Sequence, residues 1–130
     1  MDNKTLVNRF FKEIVNSKKT ELIEEMFHPQ YVNHGFPVEA KGFEAERQIT
    51  ALMFSAFPDL LVNLEDSICE GDTVASRGYW TGTHKGDFMG LAATGRKVNV
   101  PFISVWNIKN GKLHEDWIQM DSAGLMRQLS

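Results

Sequence analysis

At Pro58-Asp59 the apolar periodicity of this chain changes from three-and-four to two, and that one switch limits the folds open to it. Upstream, Leu6, Val7, Phe10, Phe11, Ile14 and Val15 recur at helical spacing and lay one apolar stripe along a first helix. A short second helix follows Thr20, with Leu22, Ile23, Met26 and Phe27 inward, and His28-Pro29 stops it. Tyr31–His34 reads as a short strand or extended segment. A third helix starts near Gly42, carries Ala45, Ile49, Leu52, Met53, Ala56 and Phe57 on one face, and ends before Pro58. Downstream, Leu60–Cys69, Thr73–His84, Lys97–Lys109 and Lys112–Asp121 read as strands. Asn110-Gly111 between the last two is a hairpin signal, because both residues tolerate the positive φ of a tight turn. Helices first and a long antiparallel meander after them make an α+β fold, with helices packed on one face of a curved sheet.

The chain has 130 residues, enough for one domain with its own core over residues 1–130. Its only cysteine, Cys69, has no partner for a disulfide, which fits a reducing compartment and a cytoplasmic location. Seventeen acidic and fourteen basic residues are interspersed, giving a net charge of −3, so neither nucleic acid nor an anionic membrane is an expected partner. No apolar run reaches the ~20 residues of a membrane span. The amphipathic pattern that starts soon after Met1 leaves no apolar block of the kind a signal peptide has.

In the strand from Lys97, Val98, Val100, Phe102, Ser104, Trp106 and Ile108 alternate with Pro101, Ile103 and Val105, so both faces are largely apolar. One helical layer covers one face. A second subunit is expected on the other, making a homodimer. Four histidines, at 28, 34, 84 and 114, show no metal-ligand spacing with cysteine or carboxylate, and no metal site is expected. Gly82, Gly86, Gly90 and Gly95 form no phosphate-binding motif and read as turn glycines.

Asp121 stands out because it follows Trp117, Ile118 and Met120, and an ionised carboxylate in apolar surroundings must be paired or raise its pKa. The same residue is also a good N-cap for Ser122–Leu129. With strict alternation, Glu115, Trp117, Gln119 and Asp121 share one strand face, a polar row with one aromatic wall. Arg77 in the middle of a strand calls for a carboxylate partner or a pocket to face. His34, followed by Gly35, fits either a structural hydrogen bond or a substrate contact, and His84 a loop-fixing role.

Ala56-Phe57-Pro58-Asp59-Leu60, Glu70-Gly71-Asp72, Gly82-Thr83-His84-x-Gly86-x-Phe88-x-Gly90, Thr94-Gly95-Arg96, Asn110-Gly111-Lys112, Glu115-x-Trp117 and Asp121 with Gln128-Leu129 stand in an order that resembles the SnoaL-like polyketide cyclases. Tyr31-Val32-Asn33-His34 extends the match upstream, over nearly the whole chain. The resemblance implies the nuclear transport factor 2-like cone, in which helices and a curved sheet enclose an apolar pocket. It implies cofactor-independent acid/base chemistry on a small hydrophobic carbonyl compound, an intramolecular aldol closure in which Asp121 matches the acid/base residue. His34, Arg77 and Gln119 are then the candidate donors to the enolate oxygen, and Asn33, Met53, Phe57, Trp106 and Trp117 the other substrate contacts. The chain departs from the pattern at one place: where the family often has Glu-His-Trp it has Glu115-Asp116-Trp117. Isomerisation, dehydration or epoxide opening on the same scaffold would need a second acidic partner, and a non-catalytic ligand binder would fit an exposed Asp121.

Overall fold

The computed structural model describes residues 1–130. Helix α1 (Asn3–Arg9) is capped by the Asp2 carboxylate, which accepts from Thr5 N at 2.7 Å, and continues without a break into a wider π-helical stretch, Phe10–Asn16. The wider winding turns consecutive residues to one side, so Phe10, Phe11, Ile14 and Val15 are all buried. A 3₁₀ turn (Thr20–Leu22) leads into the single-turn helix α2 (Ile23–Met26). Strand β1 (Phe27–Asn33) begins one residue later, where helix was expected to persist through Phe27. Pro29 sits inside it, tolerated because β1 is a sheet edge and one missing N–H leaves no ladder broken on the outer side.

Helix α3 (Phe43–Ala56) ends as expected before Pro58, and the long strands β2 (Leu61–Glu70), β3 (Thr73–Thr83), β4 (Lys97–Lys109) and β5 (Lys112–Met120) follow. These four pair antiparallel in sequence order, and Asn110 (φ 53°) and Gly111 (φ 71°) form the β4–β5 turn with both residues left-handed. The extended segment expected at Tyr31–His34 falls at the end of β1, and β1 adds to β5 in parallel as a fifth strand, a pairing the alternation pattern did not show, giving the order β1-β5-β4-β3-β2. Helix α4 (Ser122–Leu129) closes one end.

Strand β4 is the spine of the core. Val98, Val100, Phe102, Ser104, Trp106 and Ile108 are buried on its concave face, the alternation read from the sequence. Trp106 is 1% exposed, meets Phe10 and Phe27 edge-on with ring centroids 5.0 and 6.2 Å away, and donates its indole N–H to Ser104 Oγ at 3.1 Å. A buried indole with its polar edge satisfied keeps its apolar gain without a desolvation penalty. No helix is long and apolar enough to cross a membrane.

Candidate active site in the cone

The helices do not fill the concave face completely, and a cavity of ≈ 80 Å³ remains between the π-helical stretch, α3 and the inner faces of the strands. Fourteen of its 18 lining residues are hydrophobic, so the other four, Asn33, Glu46, Thr50 and Asp116, decide what chemistry it can do. Thr50 spends its hydroxyl on the Glu46 and Arg47 carbonyls of its own helix, each at 3.0 Å. That leaves one amide and two carboxyls.

Asp116 reaches the cavity through a fault in β5. Asn107 pairs with Glu115 and Ile108 with Leu113, so His114 is an extra residue and the strand changes parity there. Leu113 faces inward before the bulge; Asp116, Ile118 and Met120 face inward after it. The side chain is 5% exposed. Asn33 Nδ2 lies 3.4 Å from Asp116 Oδ2 and 2.8 Å from the Tyr31 hydroxyl oxygen, to which it donates. The amide cannot be the other way round, because Asn33 Oδ1 accepts from both Gly35 N and Phe36 N at 2.8 Å. Asp116 Oδ1 has no partner at all.

Glu46 arrives from α3, on the stripe it shares with Ile49, Thr50 and Met53 at spacings of three, four and seven. It is 3% exposed, and no cation meets it. Arg47, its neighbour in sequence, turns outward to Glu24 (3.1 Å) and Glu44 (3.9 Å). Burial pushes both carboxyls well above the usual carboxylate range, and the charge of Asp116 pushes Glu46 further. Tyr31, fully buried beside them, is held well above the ordinary phenol value by burial first and by the two acids second. At another part of the wall the indole N–H of Trp80, 3% exposed, also lacks an acceptor. Unpartnered polar atoms of this kind are rare in native interiors, and here an acid and a donor both border one apolar cavity.

Of the residues singled out from the sequence, Asn33, Met53 and Trp106 line this cavity. Phe57 is buried next to Trp80, His84 and Phe88 and takes no part in the lining. The others lie elsewhere. Asp121 is exposed at the start of α4, where Oδ1 accepts from Gly124 N at 2.9 Å; the helix-cap alternative describes its surroundings, and apolar burial does not. Glu115, Trp117 and Gln119 do share one face as alternation requires, but the bulge makes it the outer face. His34 joins them there, stacked on Trp117 (4.8 Å, 10°) with Nε2 2.8 Å from Glu115 Oε2. Arg77 is also outside, 56% exposed, with Glu65 and Asp66 at 3.8 and 3.9 Å. His84 is wholly buried, its Nδ1 accepts from Thr94 N at 3.2 Å, and its backbone holds Gly95 and Arg96, which fixes the 85–96 loop as expected.

Glu46 and Trp80 were missed, although Glu46 had a readable signal: a charge on the apolar stripe of an amphipathic helix. For Asp116 the signal was the departure at Glu115-Asp116-Trp117.

The fold is thus a cone of helices on a curved sheet, with two buried carboxyls bordering an apolar cavity between the layers. The SnoaL-like polyketide cyclase family model matches residues 5–129, and the chain belongs to that family. The aklanonic acid methyl ester cyclase DnrD of Streptomyces peucetius is 32% identical over 124 residues, covering 90% of this chain and 83% of its own. The cyclase of the same name, AcmA, of Streptomyces galilaeus is 31% identical over 122 residues, with the same coverages. Among solved structures, TsrD from Streptomyces laurentii superimposes with a TM-score of 0.88 at 29% identity, over 97% of this chain and 92% of that one.

Proposed function

We propose that the chain closes a ring by an intramolecular aldol-type step on a small hydrophobic carbonyl compound, without a cofactor, and that Asp116 is its acid/base residue. One observation carries the reading: a carboxyl 5% exposed in an apolar chamber, with Asn33 on Oδ2 and nothing on Oδ1. Oδ1 is free to take a proton from carbon. Burial raises its basicity toward what abstraction α to a carbonyl needs. Aromatic and aliphatic walls would hold a planar substrate against it and keep water out. The natural first substrate to try is aklanonic acid methyl ester, on which the two cyclases above are named. Asp116→Asn keeps the shape and removes the titrating group, so turnover of that ester should fall ~10²–10⁴-fold with KM little changed. Asp121→Asn should turn over at the wild-type rate. Wild-type turnover by Asp116→Asn would end this assignment.

The Glu46–Asp116 combination favours a second reading as well, since it supplies the second acidic partner that isomerisation or dehydration on this scaffold would need. Detection of a ring-closed product or of a rearranged, dehydrated one separates the two. We also propose that the protein works in the cytoplasm, where its exposed Cys69 stays reduced, and that it is a homodimer through the outer sheet face. There Ile103 (55% exposed) and Trp117 (43%) stand uncovered beside Pro101 and Val105. Sedimentation showing a monomer at micromolar concentration removes the dimer, and fractionation placing the protein outside the cytoplasm removes the location.

A further inference from the structure

We propose that Glu46 and Asp116 act as one acid–base pair holding a single proton, Glu46 donating it to the substrate carbonyl oxygen while Asp116 accepts the proton on the adjacent carbon. The proposal rests on the cyclase reading and adds a second reacting group to it. The cavity offers these two carboxyls no charged partner. From β1 they meet Tyr31 and Asn33, both neutral; from the π-helical stretch, Phe10, Phe11 and Val15; from β3, Trp80 with its unpartnered indole N–H; and from β4, the rings of Phe102 and Trp106. Arg47 is turned away to surface acids. Two carboxylates without a cation in so apolar a place cannot both ionise, so one proton stays and the pair titrates as a unit. Asn33 decides where it stays. Its amide N–H, with the flip fixed by Gly35 and Phe36, faces Asp116 and supports the anion there; Glu46 has no such donor and keeps the proton.

The step balances without any other reactant. Asp116 removes the α-proton, the C–H electron pair becomes the C=C bond, and the carbonyl oxygen takes the Glu46 proton, leaving an enol, Asp116–H and Glu46 anion. When the enol carbon attacks the second carbonyl of the substrate, its O–H proton returns to Glu46. Asp116 then protonates the new alkoxide. One C–H bond and one C=O π bond are exchanged for one C–C and one O–H bond, and the pair is restored.

The first test needs no ligand. In the full chain with carboxyl-labelled Asp and Glu, ¹³C NMR should show the pair losing its protons in two separated steps. In Asp116→Asn, Glu46 should titrate at least about one pH unit lower, because its charged neighbour is gone. A Glu46 titration that does not move in Asp116→Asn overturns the pair. The second test follows exchange of the α-protons of 2-acetonaphthone for deuterium in heavy water. Glu46→Gln should slow enzyme-dependent exchange ~10²-fold and remove the alkaline limb of its pH profile, and Glu46→Asp should restore part of the rate. If Asp116→Asn abolishes exchange while Glu46→Gln leaves rate and profile unchanged, Glu46 is no acid and the cyclase reading stands. If both variants exchange as fast as wild type, both fail.

Discussion

Replacing both buried carboxyls by amides should change how stability depends on pH, and the sign follows from the direction of their shifts. Asp116 and Glu46 ordinarily ionise near 3.8 and 4.5, and the fold raises both. The folded chain therefore keeps protons that the unfolded chain has released. Stability from these groups is present in full below their ordinary range and is lost as pH rises through the folded values. While the fold holds one proton more than the unfolded chain, wild type loses about 1.4 kcal/mol per pH unit. Glu46→Gln/Asp116→Asn has no such slope. Its amides introduce N–H groups into an apolar cavity, a penalty of about 1–3 kcal/mol for each unsatisfied group that does not vary with pH. The double variant should thus start below wild type just above the ordinary carboxylate range and gain on it as pH rises, until the folded wild type releases the proton it retains. Asp2, Glu13 and Asp59 are shifted the other way by hydrogen bonds, so their stability is lost only as pH falls through values below the ordinary carboxylate range. They and His28, lowered by partial burial, are common to both proteins and cancel in the difference. Urea unfolding at four pH values, with m unchanged between the proteins, measures it. A difference constant across that range within the ~10–15% error of extrapolation would falsify the raised values.

Asp121→Ala should destabilise by about 0.5–2 kcal/mol through loss of the bond to Gly124 N, while Asp121→Asn, itself a good cap, should stay within a few tenths; thermal unfolding separates them. Ile103→Lys places a charge on the outer face of the sheet and should convert a dimer to monomer in sedimentation without altering the monomer's far-ultraviolet dichroism.

Much of the fold was legible because its signals are local. The stripe of α1, the stop at Pro58, the alternation of β4 and the Asn110-Gly111 turn each depend on residues within one element, and each recurs in the structure with boundaries moved by a residue or so. What could not be read was long-range. The parallel pairing of β1 with β5 depends on two segments some eighty residues apart, and no residue in Phe27–Asn33 announces its partner.

The site was harder to read for a sharper reason. Period-two alternation assigns residues to faces only relative to one another, and the absolute face is set by whichever residue is anchored in the core. Leu113 anchors β5 at its start, and strict alternation from it would send Glu115, Trp117 and Gln119 inward with Asp116 outside. One extra residue at His114 inverts that outcome for everything after it. The polar row with its Trp becomes surface, stacked with His34 and facing a partner or water, and the carboxylate that had looked like an odd replacement for histidine becomes the one in the chamber. Glu46 completes the reasoning from the opposite wall. A charge that interrupts an apolar helical stripe and a charge that replaces histidine on a facing strand are each unremarkable alone. Their meeting in one cavity with no cation in its lining is the observation on which the proposed carboxyl pair rests, and Asn33, held in place beside Asp116 alone, is what would tell the two apart.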